Sequence, residues 1–166
     1  WAKWVTPSRD LISTFKQEGD EVRFKESVVY YDCGWSNYYP SDNYPFMYKC
    51  RSANSSIIKY RYADVLLLKA EALIMQDTPD LEGAADIIDE VRDRAKLGAL
   101  SSSTRSNKDA LLNALLKERR LELAFEGQRW FDLVRLDKVE EVMNAVYAKD
   151  SGRKAQIYTF DKNSYR

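Results

Sequence analysis

The chain has no histidine, only two cysteines and no excess of either charge, and each of these shortages excludes a class of function. Without imidazole there is no Ser-His-Asp or Cys-His nucleophile, no histidine general base and no histidine-ligated zinc or iron site. Two cysteines alone cannot hold a structural zinc ion or an iron–sulfur cluster. The 26 basic and 26 acidic side chains cancel, so we expect no nucleic-acid partner and no surface attracted to anionic lipid. We expect no metal and no cofactor.

Aromatic side chains are concentrated in the first third of the 166 residues. Residues 1–58 hold 12 of the 21 aromatic rings, whereas residues 59–150 are rich in leucine, alanine and charge. We therefore predict an aromatic-rich, mostly irregular segment over 1–58, packed on a helical scaffold over 59–150 and followed by a tail over 151–166. The apolar run Val65–Leu68 is far too short to span a bilayer.

Hydrophobic periodicity predicts a series of helices in the second part of the chain. Short links between them favour antiparallel hairpins, so the predicted fold is mainly α, with stacked helical hairpins. The predicted helical segments are Arg61–Gln76, one that starts at Pro79 and repeats apolar residues from Leu81 to Ala95, Lys108–Glu126, Arg129–Arg135 and a last one opened by Asp137.

Four sequence signals predict where these helices begin and end. Thr78 followed by Pro79 is typical of a helix start, and Gly98 of a C-terminal cap. Ser106 with Asp109 resembles a capping box. Gly127 is expected to break or bend the third helix.

The first part of the chain contains weaker signals. The segment Pro7–Gln17 predicts a short helix, and the β-branched and aromatic residues of Val22–Tyr31 favour a strand or extended segment. Two prolines, a glycine and several Asn and Asp residues predict a long irregular loop over Cys33–Arg51. Long loops in compact domains are usually functional or mobile.

This loop carries the candidate binding residues. Trp35, Tyr38, Tyr39 and Tyr44 offer flat apolar faces, and Asn37 offers a neutral hydrogen-bonding group beside them. Sugar rings have an apolar face and a rim of hydroxyl groups, so the composition suits an oligo- or polysaccharide. The same composition also suits a protein partner, and the plainest alternative is that the rings pack the loop onto the helices.

Cys33 and Cys50 bracket the same loop. A disulfide between them would stabilise the fold by about 3 kcal/mol in the chain-entropy model and would preorganise the aromatic rings. Two free thiols in a reducing compartment are the alternative. We favour the disulfide, because the loop has little else to order it.

Glu118, Glu122 and Glu126 are spaced by four, which predicts one carboxylate stripe along a helix. Such a stripe fits either a carboxylate metal site or acid–base pair for glycoside hydrolysis, or an ion-pair network with neighbouring arginines. We favour the ion-pair network. A second hydrolase version would use Asp32 and Asp42. Arg119, Arg120, Arg129 and Arg135 are close to the stripe in sequence, and Arg92 and Arg94 lie on the preceding predicted helix.

Three blocks of the chain closely resemble consecutive blocks of the SusD/RagB family. They are Lys59–Leu73, Ala85–Leu97 and Leu115–Arg135, and Thr6–Arg23 resembles the segment that precedes them. The third block, ERRLELAFEGQRWFDLVR from Glu118 onward, is long and unusual, so we regard it as a specific signal.

The resemblance implies a mainly α, SusD-like fold with tetratricopeptide-like helical pairs as scaffold. It also implies that Ala63–Ala72 and Glu118–Trp130 are scaffold signatures, and that their charged residues pack helices. Family members are considerably longer and begin with a lipoprotein signal, so we expect the chain to be a C-terminal portion. The lipid anchor would then lie outside it and provide its membrane contact.

The function implied by the resemblance is non-enzymatic. Family members bind glycans or other nutrients on the outer face of a Gram-negative outer membrane and deliver them to a SusC-type TonB-dependent transporter. An alternative is a helical-repeat interaction module that binds only the transporter or the rest of its own chain.

Overall fold

The computed structural model describes residues 6–34, 43–49 and 58–149. The chain divides into two compact units, Trp1–Glu126 and Gly127–Arg166. Most described residues are helical, so the predicted mainly α class is confirmed. The tetratricopeptide-like pairing and the division by composition at residues 58 and 150 stay predictions. No helix among the described residues is long and apolar enough to cross a bilayer.

Two short helices open the first unit. Helix α1 spans Arg9–Glu18, close to the predicted Pro7–Gln17. It begins at Arg9 because Ser8 caps it by accepting a hydrogen bond from Leu11 N at 3.1 Å. Gly19 ends it at a left-handed φ of 68°, which a glycine adopts without strain. Helix α2 follows at Glu21–Ser27.

The predicted extended segment over Val22–Tyr31 is wrong in its first half. Asp20 accepts from Arg23 N at 3.2 Å and starts α2 there, so a local cap outweighs the β propensity of Val22. Only the second half is extended, as strand β1, Val28–Tyr31.

The loop predicted over Cys33–Arg51 contains a second strand, β2, at Tyr44–Met47. It pairs antiparallel with β1, with Val28 opposite Met47 and Tyr31 opposite Tyr44. Tyr48 N donates to Ser27 O at 2.8 Å and closes the hairpin at the α2 end.

Four helices complete the first unit: α3 at Tyr62–Ile74, α4 at Leu81–Arg94, α5 at Ser102–Arg105 and α6 at Lys108–Glu122. Helices α3, α4 and α6 share one core, as their apolar periodicity predicts. The core side chains with no exposed surface include Leu67, Ala70, Ile74, Ile88, Leu111 and Leu115.

The predicted caps are displaced by one or two residues. Asp80, not Thr78, caps α4, and its carboxylate accepts from Gly83 N at 2.9 Å. Asn107, not Ser106, caps α6 and accepts from Ala110 N at 2.9 Å. Asp and Asn are at least as good N-caps as Thr and Ser. The N-cap is therefore the residue that directly precedes the first helical turn, Asp80 for α4 and Asn107 for α6.

The chain leaves the helical conformation after α4 and α6 by left-handed residues. Lys96 has a φ of 62°, so the turn after α4 comes before the predicted cap Gly98. Helix α6 ends at Glu122, four residues earlier than predicted, and Phe125 has a φ of 66°. Glu126 therefore lies beyond the helix that carries Glu118 and Glu122.

The second unit contains α7, Arg129–Arg135, and α8, Val139–Lys149. Both agree with the predicted segments. Gly127 precedes α7 with a φ of 80°, which agrees with its predicted role as a breaker. Within α7, Arg135 pairs with the buried Asp132 at 3.0 Å.

Candidate functional site

Most of the predicted binding residues lie outside the described part of the chain: Trp35, Asn37, Tyr38 and Tyr39. Their role in binding stays a prediction. Tyr44 is described, at the start of β2, with 5% of its surface exposed. Its ring centroid lies 4.9 Å from that of Phe46, so Tyr44 packs within the hairpin and offers little ring surface to a ligand.

Cys33 is buried with Tyr44 and Phe46 in a small cluster against Val29. Cys50, its predicted disulfide partner, is outside the described residues. The disulfide therefore stays a prediction as well.

The three glutamates of the predicted stripe are the centre of a buried charge network. Glu118, with 1% of its side chain exposed, accepts from Arg23 at 2.5 Å and from Arg92 at 3.3 Å. Burial raises the pKa of Glu118 above its ordinary value, and the two guanidinium groups only partly oppose that rise. Arg23 also binds Asp20, the cap of α2, at 2.6 Å. The Arg23–Glu118 pair therefore joins the start of α2 to α6.

Glu122 is the most densely paired carboxylate. It binds Arg61 at 2.5 Å, Arg23 at 3.1 Å and Arg94 through Nη2. Burial alone would raise the pKa of Glu122, but the hydrogen bonds from Arg61 and Arg94 outweigh burial and lower the pKa to about 2. Glu122 is therefore fully ionised in neutral solution.

Glu126 joins the same network although it lies beyond α6. Arg61 Nε binds it at 2.8 Å and Lys49 Nζ at 2.5 Å. Lys49 also donates to the carbonyl of Glu122 at 2.8 Å, as does Arg61 Nη2 at 2.5 Å. Arg61 and Lys49 thus hold the Glu126 carboxylate beside the end of α6, although Glu126 lies in the turn that follows the helix.

The predicted ion-pair network is confirmed, because each of the three carboxylates is bound by basic side chains. An acid–base pair on this stripe requires two carboxyl groups facing an open cleft, and these groups are instead held by Arg23, Arg61 and Lys49. Among the residues that the structure describes, no cluster of acidic and cysteine side chains suits a metal ion. For the other hydrolase version, Asp32 is exposed and Asp42 is not described.

Sequence reasoning identified only two of the cations in this network, Arg92 and Arg94. Arg23, Lys49 and Arg61 lie about 60 to 100 positions from their carboxylates, and no local pattern predicts such pairs. Other predicted partners bind elsewhere: Arg119 pairs with Asp64 of α3 at 2.9 Å, and Arg120 with Asp10 of α1 at 2.7 Å. Both sides of the Arg119–Asp64 pair are buried.

A cavity of about 390 Å³ adjoins the network. Its lining combines apolar side chains, among them Val22, Ile58 and Leu121, with the carboxylates of Glu122 and Glu126 and the basic side chains that bind them. A groove of about 570 Å³ between α3 and α4 shares Arg61 and Arg94 with this cavity. Its lining combines one aromatic ring, apolar side chains and charged groups: Tyr62, Ala63, Leu66, Val91, Glu90, Asp93, Arg61 and Arg94.

An exposed aromatic ring, that of Tyr62, lines this groove, and a second exposed tyrosine, Tyr60, lies two residues before it in the chain. Tyr60 and Tyr62 are 74% and 73% exposed, and Arg61 between them is half-buried. Sequence reasoning missed both tyrosines because they belong to a block that looked like scaffold. The available signal was their alternation with an arginine, which is typical of an extended segment with two opposite faces.

Curated relatives match a little over half of the chain. SusD-like protein P38 of Formosa agariphila is 42% identical over 99 residues, and SusD-like protein P2 of the same organism is 39% identical over 97 residues. These alignments cover 56% and 55% of the chain. The chain spans about a fifth of the length of either relative, 19% in both cases.

Solved structures match a larger part of the chain. A SusD superfamily protein from Bacteroides vulgatus superposes with a TM-score of 0.66 at 24% identity, over 85% of this chain and 35% of that one. A protein described as a laminarin binding SusD-like protein superposes with a TM-score of 0.56 at 26% identity, over 92% of this chain and 33% of that one. The fold is therefore that of SusD superfamily proteins.

The model of the SusD family matches residues 42–166, which is most of the chain and includes α3 to α8. Two of the blocks that resemble the family in sequence contain most of α3 and of α4, and the third begins with the part of α6 that carries Glu118 and Glu122. The chain belongs to the SusD family.

Proposed function

We propose that the chain is part of a non-enzymatic, cell-surface protein that binds a glycan and delivers it to a SusC-type TonB-dependent transporter in the outer membrane. The observation that carries the proposal is membership of the SusD family over residues 42–166, together with a laminarin-binding relative of the same fold. A lipid anchor on the longer protein would hold it at the cell surface.

The charge distribution agrees with a neutral ligand. The 26 basic and 26 acidic side chains cancel, and many are paired with each other in the network around Glu118, Glu122 and Glu126. A neutral glycan is held by stacking on aromatic faces and by hydrogen bonds to its hydroxyl groups. Neither contact needs a catalytic pair or a field of one sign.

The test is affinity electrophoresis of the chain in gels containing laminarin or other neutral polysaccharides. We expect retention in at least one neutral gel. The double variant Trp35→Ala with Tyr39→Ala removes two rings of the predicted site and should reduce that retention. Phe131→Ala is the matched control, because this ring is 64% exposed on α7, far along the chain from the loop.

Equal retention of the double variant and the wild type would contradict the role of the aromatic loop. Absence of retention on every neutral polysaccharide, with a helical circular dichroism spectrum, would contradict glycan binding. Co-purification of a SusC-type transporter with the chain tests the delivery step separately. Capture of the transporter without any glycan binding would favour the interaction-module alternative.

A further inference from the structure

The segment that leads into α3 presents two aromatic rings to solvent. The backbone at Arg61 is extended, with φ −144° and ψ 163°, so the side chains of Tyr60 and Tyr62 point to the side opposite Arg61. Two residues of extended chain separate their Cα atoms by about 7 Å. Both rings are more than 70% exposed.

The ion pairs and hydrogen bonds of Arg61 anchor the Tyr60–Tyr62 segment to the end of α6. Its guanidinium group binds the Glu122 carboxylate at 2.5 Å, the Glu122 carbonyl at 2.5 Å and Glu126 at 2.8 Å. Burial would lower the pKa of Arg61, but these acceptors raise it, so the group stays charged and bound. The base of the two tyrosines is therefore rigid, which lowers the entropy cost of binding a ligand on them.

The groove beside Tyr62 supplies hydrogen-bonding groups. Glu90 and Asp93 of α4 line it and are exposed, and neither carboxylate has an ion pair or hydrogen bond with another described residue. Arg94, which also lines the groove, is 61% exposed and forms an ion pair with Glu122 through Nη2. Free carboxylates are strong acceptors for hydroxyl groups.

We propose that Tyr62 and Tyr60, with the groove between α3 and α4, form a binding site for a neutral oligosaccharide. One sugar ring stacks on Tyr62, and its hydroxyl groups donate to Glu90 and Asp93. This inference rests on the proposed glycan-binding function and assigns it a site made of described residues, none of which belongs to the Trp35–Tyr44 segment.

The charge of the groove determines the ligand class. Glu90 and Asp93 are two negative charges, whereas the two basic groups of the groove, Arg61 and Arg94, are already paired with Glu122 and Glu126 of the buried network. A uronate or a sulfated sugar would bring further negative charge beside these carboxylates, and like charges repel. The site therefore selects neutral glycans over acidic ones. A protein partner is disfavoured, because free carboxylates are depleted from the centre of protein interfaces.

The test compares the wild-type chain with Tyr62→Ala and with the double variant Tyr60→Ala and Tyr62→Ala, titrated with laminarin oligosaccharides in a calorimeter. We expect Kd to rise at least about fivefold for Tyr62→Ala, which is the loss of about 1 kcal/mol of binding free energy. Val65→Ala is the control, because Val65 is also exposed on α3, at 53%, but does not line the groove. An acidic polysaccharide such as alginate should not bind at this site.

The failures of the two proposals are distinguishable. If the wild type binds laminarin oligosaccharides and the double tyrosine variant binds them with the same Kd, the groove site is overturned and the proposed function stands. If the wild type binds no neutral glycan, the groove site and the proposed glycan-binding function are both contradicted. If the tyrosine substitutions leave glycan binding unchanged but abolish self-association in sedimentation velocity, the surface is a protein interface and the inference is wrong. Circular dichroism of each variant verifies that the helices are retained.

Discussion

Glu122 illustrates how a buried carboxylate is tolerated in this fold. With 3% of its side chain exposed, it has lost nearly all its hydration, which is costly for an ionised group. Three guanidinium groups replace the water, from Arg23, Arg61 and Arg94. They belong to α2, the segment before α3, and α4, so one side chain connects three parts of the first unit to α6.

Replacing Glu122 by glutamine should therefore destabilise the chain strongly. The three guanidinium groups would lose their shared counter-charge, and removal of one partner from a buried pair typically costs about 3 kcal/mol or more. The measurement is the free energy of unfolding from urea titration. Glu21→Gln is the matched control, because Glu21 is 78% exposed and its pair with Lys25 spans 3.4 Å. That pair should contribute less than about 0.5 kcal/mol. Equal destabilisation by both substitutions would contradict the network.

The same carboxylate predicts a dependence of stability on acid. The pKa of Glu122 is about 2 in the folded chain and 4.5 in its ordinary state, so the folded state holds fewer protons between these values. Its contribution to stability is complete above about pH 4.5 and is lost as pH falls towards 2. Glu18, whose pKa is also lowered, acts in the same direction, whereas the raised pKa of Glu118 acts in the opposite one.

Urea titrations of the wild type and Glu122→Gln at pH 7, 4 and 3 measure this effect. We expect the difference in unfolding free energy between the two proteins to decrease at each step towards acid. A difference that stays constant over this range would show that Glu122 is not ionised in the folded chain, contrary to the low pKa.

At the scale of single elements, apolar periodicity was the reliable signal. It predicted α3 and α7 to within two residues and located α4, because a helix that buries one face repeats every 3.6 residues. It placed the end of α6 too late, because the apolar pattern continues to Phe125, whereas the helix ends at Glu122 and the backbone of Phe125 is left-handed. It also did not reveal α2, which depends on the cap made by Asp20.

The corrected cap of α4 has a direct test. Asp80→Ala removes the carboxylate that accepts from Gly83 N and should lower the unfolding free energy by about 1 kcal/mol. Thr78→Ala, at the position that the sequence favours, should change it by less than about 0.5 kcal/mol, because Thr78 is exposed and lies outside the helix. A larger loss of unfolding free energy for Thr78→Ala than for Asp80→Ala would contradict Asp80 as the N-cap of α4 and support Thr78.

For the whole molecule, the family and the fold class could be predicted from the sequence, but the candidate site only in part. The helical blocks carry the resemblance because packed scaffolds constrain many positions at once. Ring exposure is different, since it depends on tertiary contacts: Tyr44 looked available and is buried, whereas Tyr62 looked like scaffold and is exposed. The distant partners of the glutamates, Arg23 and Arg61, were hidden for the same reason.

The central claim is that the chain binds a neutral glycan and leaves it chemically unchanged. The most direct test is calorimetric titration of the wild-type chain with laminarin oligosaccharides, followed by measurement of new reducing ends in the recovered sugar. The account predicts saturable binding and no new reducing ends. Release of new reducing ends by the purified chain, or absence of heat with every neutral oligosaccharide offered to the folded chain, would contradict it.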